Sequence, residues 1–145
     1  MKPAALLAVK LLLGALACAA AAGTAAAQVR GPNSSAFPYN ISFTLERING
    51  KPLPSGIRPT LNVSSELRAS GHSGCNSFSA VTHAVPDGRM RVGPVALTRM
   101  ACAGPVMQIE NSYLRIYYTA RRWSGSADAI TVRGAGGTLS FRRGI

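Results

Sequence analysis

Acid is scarce in this chain. Only five of 145 residues are Asp or Glu, and Glu46, Glu66, Asp87, Glu110 and Asp128 are scattered along it. None is placed as a partner for general acid–base work on two carboxylates. Asp87 is already explained by the turn Pro86-Asp87-Gly88, where proline presets φ and glycine accepts positive φ. Cysteine is nearly as rare. Cys18, Cys75 and Cys102 form no Cys-x-x-Cys, which removes both a zinc knuckle and a resolving thiol pair. His72, Cys75, His83 and Cys102 do supply zinc-binding atom types. His72 and Cys75 are an odd number of positions apart, however, so an unbulged strand sends them to opposite faces. No metal or cofactor is expected. Long apolar runs are missing too: Leu11 to Ala17 is too short, and too close to Lys10, to span roughly 30 Å of hydrocarbon. Serines are plentiful, yet none lies in a nucleophile elbow. Either histidine has the chemistry of a base, but a surface or turn position is the simpler reading. These absences point away from an enzyme.

What is present begins with a leader. Met1-Lys2 and Lys10 carry positive charge, Leu11 to Ala17 is apolar, and alanines run to Ala25-Ala26-Ala27 before Gln28. That pattern reads as an export signal over residues 1–27 with a small-x-small cleavage site. Leu16-Ala17-Cys18 is a looser alternative, a lipobox that would lipidate Cys18. The protein is therefore expected in the periplasm or secreted, or else lipid-anchored through Cys18. Removing the leader (145 − 27) leaves 118 residues, enough for one domain. Two lysines leave with it, so 14 basic residues (16 − 2) face 5 acids, a net of +9. Such charge favours weak contact with anionic surfaces.

Residues 28–39 read as a flexible tether, and one domain as filling 40–145. Ile41-Ser42-Phe43-Thr44-Leu45 alternates as a half-buried strand ending at the turn Asn49-Gly50. Pro52, Pro54 and Gly56 suggest a loop, and Thr60 to Ser64 alternates again. Arg68 to Val85 is strand-like but interrupted at Gly71 and Gly74, where a bulge or close backbone approach is expected. Pro105 opens a helix over about 105–121, with Val106, Ile109, Tyr113, Ile116 or Tyr117, and Ala120 on one face. Arg115, Arg121 and Arg122 then complement its carbonyl end. Two last strands, Ala129 to Val132 and Thr138 to Phe141, flank a glycine turn. The pattern predicts an α+β fold: a compact antiparallel, barrel-like sheet with one covering helix. Arg121-Arg122-Trp123 has the elements of a stacking platform for single-stranded nucleic acid. Export makes that partner inapt, and a packed Trp123 with solvated arginines is expected instead.

Two segments stand out: Ser73-Gly74-Cys75-Asn76-Ser77-Phe78 and Thr98-Arg99-Met100-Ala101-Cys102. Each holds one of the two cysteines left after the leader. In an oxidising compartment such a pair usually becomes one disulfide, and the intervening turn lets the two segments return as neighbouring strands. The pair also resembles the signatures of the META domain family of HslJ-like bacterial proteins, with Gly74, Cys75, Asn76, Thr98, Arg99, Met100 and Cys102 as the matching residues. Phe43-Thr44-Leu45, Pro59-Thr60-Leu61 and Leu139-Ser140-Phe141-Arg142 fit the family's flanking strands. Ala80 and His83 depart from its usual glycine and aromatic residue.

The resemblance implies a small exported or lipid-anchored envelope protein, linked to heat or antibiotic stress, with no established catalytic residues. The expected function is thus non-enzymatic support of the envelope by a monomer that binds an envelope component or protein. An exported inhibitor or small-ligand-binding barrel, acting through a loop such as Ser55-Gly56-Ile57, is the alternative.

Overall fold

A computed structural model describes residues 36–145. The leader, Cys18 and most of the expected tether lie outside the described residues. Among the described residues, nine strands and one helix follow in the order β1 (Ser42–Ile48), β2 (Lys51–Pro52), β3 (Thr60–Val63), β4 (Arg68–His72), β5 (Ser77–Ala84), β6 (Met90–Leu97), α1 (Gly104–Tyr118), β7 (Arg122–Gly125), β8 (Ala129–Gly134) and β9 (Gly137–Arg143). All pairings are antiparallel, in the sheet order β6-β5-β4-β3-β1-β9-β8-β7, with β2 appended to β1.

Alternation drives the curl. In β5, Phe78, Ala80, Thr82 and Ala84 point inward while Ser77, Ser79, Val81 and His83 face out. The same period buries Phe43 and Leu45, Leu61 and Val63, Ile130 and Val132, and Leu139 and Phe141. These side chains line the concave face of a half-barrel, and α1 lies across that face. Tyr113 packs against both Phe78 of β5 and Phe141 of β9, which only a helix inside the curl can do. The hydroxyls of Tyr113 and Tyr117 bond to the Thr60 carbonyl (3.1 Å) and the Thr82 hydroxyl (2.8 Å). Burial raises the pKa of both phenols, so they stay protonated.

Gly71 shows why this position excludes a side chain. A Cβ there would lie 2.1 Å from the Thr60 carbonyl oxygen. The break at Gly74 is different in kind, a positive φ of 126° that turns the chain between β4 and β5.

The sheet nearly closes. Its two ends, β6 and β7, meet at a seam: Arg89 bridges Arg122, the Met90 amide donates to the Arg121 carbonyl (2.9 Å), and the Trp123 amide donates to the Gly88 carbonyl (2.8 Å). Trp123 is buried beneath, its indole N–H donating to the Val85 carbonyl (2.9 Å).

Several expectations need adjusting. The helix ends at Tyr118, not at 121. The Thr119 hydroxyl turns back onto the Arg115 carbonyl (2.8 Å), and Arg121 is drawn into pairing with Arg133. Arg121 and Arg122 therefore lie past the helix end and cannot complement it. Arg122–Gly125 is a strand that the sequence reading passed over, since a single apolar residue, Trp123, shows no alternation. The 52–56 connection contains part of a short strand, Lys51–Pro52. The domain also begins earlier than residue 40. Phe37 is buried edge-on against Trp123, and the Tyr39 hydroxyl donates to the Ala84 carbonyl (2.6 Å).

Candidate functional site

The two sequence signatures meet at one end of the half-barrel, over the first turns of α1. Cys75 follows β4 and Cys102 follows β6, so both sit in loops past their strands rather than on them. Their Cα atoms are 5.9 Å apart and the sulfurs are bonded, closing a loop with a sequence separation of 27.

Beside the disulfide is Glu110, 2% exposed. It lies on the inner face of α1, within the helical stripe of Tyr113, Leu114 and Tyr117. Its Oε2 accepts from the Ser73 hydroxyl (2.7 Å) and from the backbone amides of Cys75 (3.1 Å) and Asn76 (2.7 Å). Its Oε1 accepts from Asn76 Nδ2 (2.8 Å). The Ser73 hydroxyl also lies 2.8 Å from the Asn76 carbonyl, but that oxygen already has the Ser73 amide, so the single proton goes to the carboxylate. Desolvation alone would raise the Glu110 pKa. The bonds from Ser73, the Asn76 side chain and the two amides outweigh it and hold the carboxyl below its ordinary value.

Asn76 is the second hub. Nδ2 donates to Glu110 and to the Met100 carbonyl (3.2 Å). Oδ1 accepts from the Thr98 hydroxyl (2.8 Å) and the Met100 amide (2.6 Å). A primary amide has two donors and two lone pairs, and all four are used. Thr98 Oγ1 in turn accepts the Ser77 amide (3.1 Å). The arrangement ties three chain segments together and occupies every polar group in it. Ser73 and Glu110 have the outline of a hydroxyl with its base. Both are buried, the base is weakened by its donors, and the neighbouring His72 spends its Nδ1 on the Gly74 amide (3.3 Å). Its chemistry is that of a fastening.

The open feature lies elsewhere. A cleft of about 700 Å³ is lined by residues of β1, the end of β9 and the 52–58 loop. Leu53 and Ile57 supply apolar wall, and Arg47, Arg58, Arg142 and Arg143 supply charge. Glu46, the acid in the lining, is bonded to Arg142 at 2.7 Å.

The other sequence candidates are dispersed. The Gly74 amide donates to His72 Nδ1 (3.3 Å), while His83 is exposed on β5 opposite Arg91. Among the described residues, no three His, Cys, Asp or Glu side chains gather as a metal would need. Trp123 is 1% exposed and presents no face for a base to stack on.

A sequence model of the META domain matches residues 38–144. The chain belongs to the META domain family. It is similar to the heat shock protein HslJ of Escherichia coli (strain K12), 29% identical over 102 residues that cover 69% of this chain and 71% of that protein. An NMR structure of a protein from Burkholderia xenovorans shares 30% identity at a TM-score of 0.60, covering 74% of this chain and 83% of that one. A second NMR structure shares 28% identity at a TM-score of 0.58, covering 70% and 87% respectively.

Within this META domain the signature residues divide cleanly. Asn76 and Thr98 act through their side chains and Gly74 through its backbone. Met100 contributes its amide and carbonyl while the residue as a whole is 56% exposed, and Arg99 is exposed as well. Sequence reading missed the hub, Glu110, by counting it among scattered acids. A signal existed: Val106, Glu110, Tyr113 and Tyr117 share one helical spacing, and an acid inside an apolar stripe asks for buried donors.

Proposed function

We propose that this META domain is a non-enzymatic binding protein of the cell envelope. In this reading the leader exports it to the periplasm or outside, and it supports the envelope under heat or antibiotic stress by holding an envelope component or protein. One observation carries the reading. The buried polar groups of the family signature are all consumed internally, whereas the arginine-lined cleft remains open. An open concavity with apolar walls and convergent charge is suited to binding.

The test is capture from envelope extract by the purified protein and by its Arg47→Glu/Arg58→Glu variant, with bound material identified by mass spectrometry. A component held by the first and lost by the second supports the reading. Identical capture by both removes the cleft from it. Intact mass of the exported product should correspond to a chain beginning at Gln28, and an acyl adduct on Cys18 would replace that processing with lipid anchoring.

The cleft volume of about 700 Å³ also favours a second reading, since small-ligand sites run from roughly 300 to 1,000 Å³. Ser55, Gly56 and Ile57 line it, so the loop would cover a small anionic ligand. Retention of a small molecule through native mass spectrometry would select this alternative.

A further inference from the structure

The seam that nearly closes the sheet carries an arrangement that neither the signatures nor the cleft uses. Arg89 bridges Arg122, and Arg122 is in register with Arg133 on β8. Met90, Trp123 and Val132, the chain neighbours of these three, are buried, so the arginines themselves face outward. All three are exposed. They form one row across adjacent strands, where directly opposed Cβ atoms lie about 4.5–5.5 Å apart. Thr138 of β9, opposite Arg133, continues the row with a hydroxyl.

Like charges set directly opposite each other destabilise a sheet. Here the repulsion sits at its weakest join. Asp87 is the nearby acid, and Arg89 already holds it through an ion pair and a backbone amide. The Arg89 amide contributes most to lowering the Asp87 pKa, and the charges of Arg89 and Arg122 add to it, which places Arg122 within the same field. Among the described residues the ion pairs are Arg89–Asp87 and Arg142–Glu46, so neither Arg122 nor Arg133 is in ion-pair contact with a carboxylate. Guanidinium groups bind phosphate bidentately. Three in a row at strand spacing suit closely spaced phosphates better than one carboxylate.

We propose that the Arg89–Arg122–Arg133 row is a binding site for a molecule bearing two or more neighbouring phosphate groups, and that the bound anion braces the seam between β6 and β7. The three arginines lie outside the cleft lining, and the site does not rest on the function proposed for the cleft.

The experiment is titration of the purified protein with tripolyphosphate, followed by calorimetry and by melting temperature. A chloride control is held at equal ionic strength. Tripolyphosphate should bind, with affinity falling as salt rises, and should raise the melting temperature above the control. Arg122→Ser and Arg133→Gln should each weaken binding about tenfold, the effect of losing one charge-assisted contact. Neither should lower the melting temperature of the free protein, because each relieves repulsion. Arg58→Gln, in the cleft, should leave tripolyphosphate binding unchanged. Equal binding by wild type and both row variants overturns the site, as does an equal loss in Arg58→Gln. Vesicles of equimolar phosphatidylglycerol and phosphatidylcholine separate the sources. Adsorption to them without any response to tripolyphosphate overturns the requirement for neighbouring phosphates. Competition of the two at the row supports it, with the neighbouring phosphates then supplied by adjacent lipid headgroups.

Discussion

The signature end and the seam solve opposite electrostatic problems. At the signature end one acid, Glu110, is buried and met by four donors from Ser73, Cys75 and Asn76. At the seam three arginines are aligned in solvent, with Asp87 beside one of them. The first region is electrostatically complete and therefore rigid: an ion in low dielectric is tolerable only when its lone pairs are filled. The second is incomplete, and high-dielectric water makes that affordable in the absence of a partner. A buried network points to architecture, and an unbalanced exposed one points to binding.

The comparison breaks most decisively at Glu110. Glu110→Ala leaves the Ser73 hydroxyl, two amides and the Asn76 amide group without their acceptor. At roughly 1–3 kcal/mol for each orphaned group, partly offset by entering water, a loss of about 4 kcal/mol is expected in chemical denaturation. An exposed arginine such as Arg133, changed to Gln, should stay within about 0.5 kcal/mol.

Next in size is the disulfide beside that network. Cys75→Ser with Cys102→Ser should cost about 3–4 kcal/mol, the chain-entropy value for a loop of this span. Thiol titration of the denatured, unreduced wild type should find no thiol from this pair.

A smaller effect separates the regions by pH. The folded Glu110 pKa lies below its ordinary 4.5, so its contribution is fully present above that value and is lost as pH falls through the lower folded value. Stability should therefore decline with acidification below about pH 4.5. Glu110→Gln should flatten that decline, whereas Arg122→Ser should leave it nearly intact.

The smallest expected change is the most informative about the seam. Arg122→Ser in ligand-free protein should raise stability by a few tenths of a kcal/mol, the scale of a relieved like-charge pair. A clear loss would mean that Arg122 supports the fold, and the contrast between the two regions would vanish.

How much was legible follows from how far each feature reaches along the chain. Alternation in Phe43–Leu45, Leu61–Val63, Phe78–Ala84 and Ile130–Val132 is local, as are the turns at Asn49-Gly50 and Pro86-Asp87-Gly88. Pro105 announced the helix start. Arg122–Gly125 did not announce itself, because its strand identity comes from pairing with β8. The signature cysteines were visible as a pair, but the carboxylate beside them was not. Glu110 and Ser73 are 37 positions apart and belong to different elements.

The sequence by itself determined the class of fold, most element positions and family membership, since periodicity, turn chemistry and motif spacing are properties of neighbouring residues. Only the tertiary structure decided that Glu110 is a buried hub, that Met100 is used through its backbone, and that Arg89, Arg122 and Arg133 stand in line. Each of these depends on sheet register and curl. The folded chain sets them by burying Trp123, Tyr113 and Tyr117 together, and no local window of sequence contains that constraint.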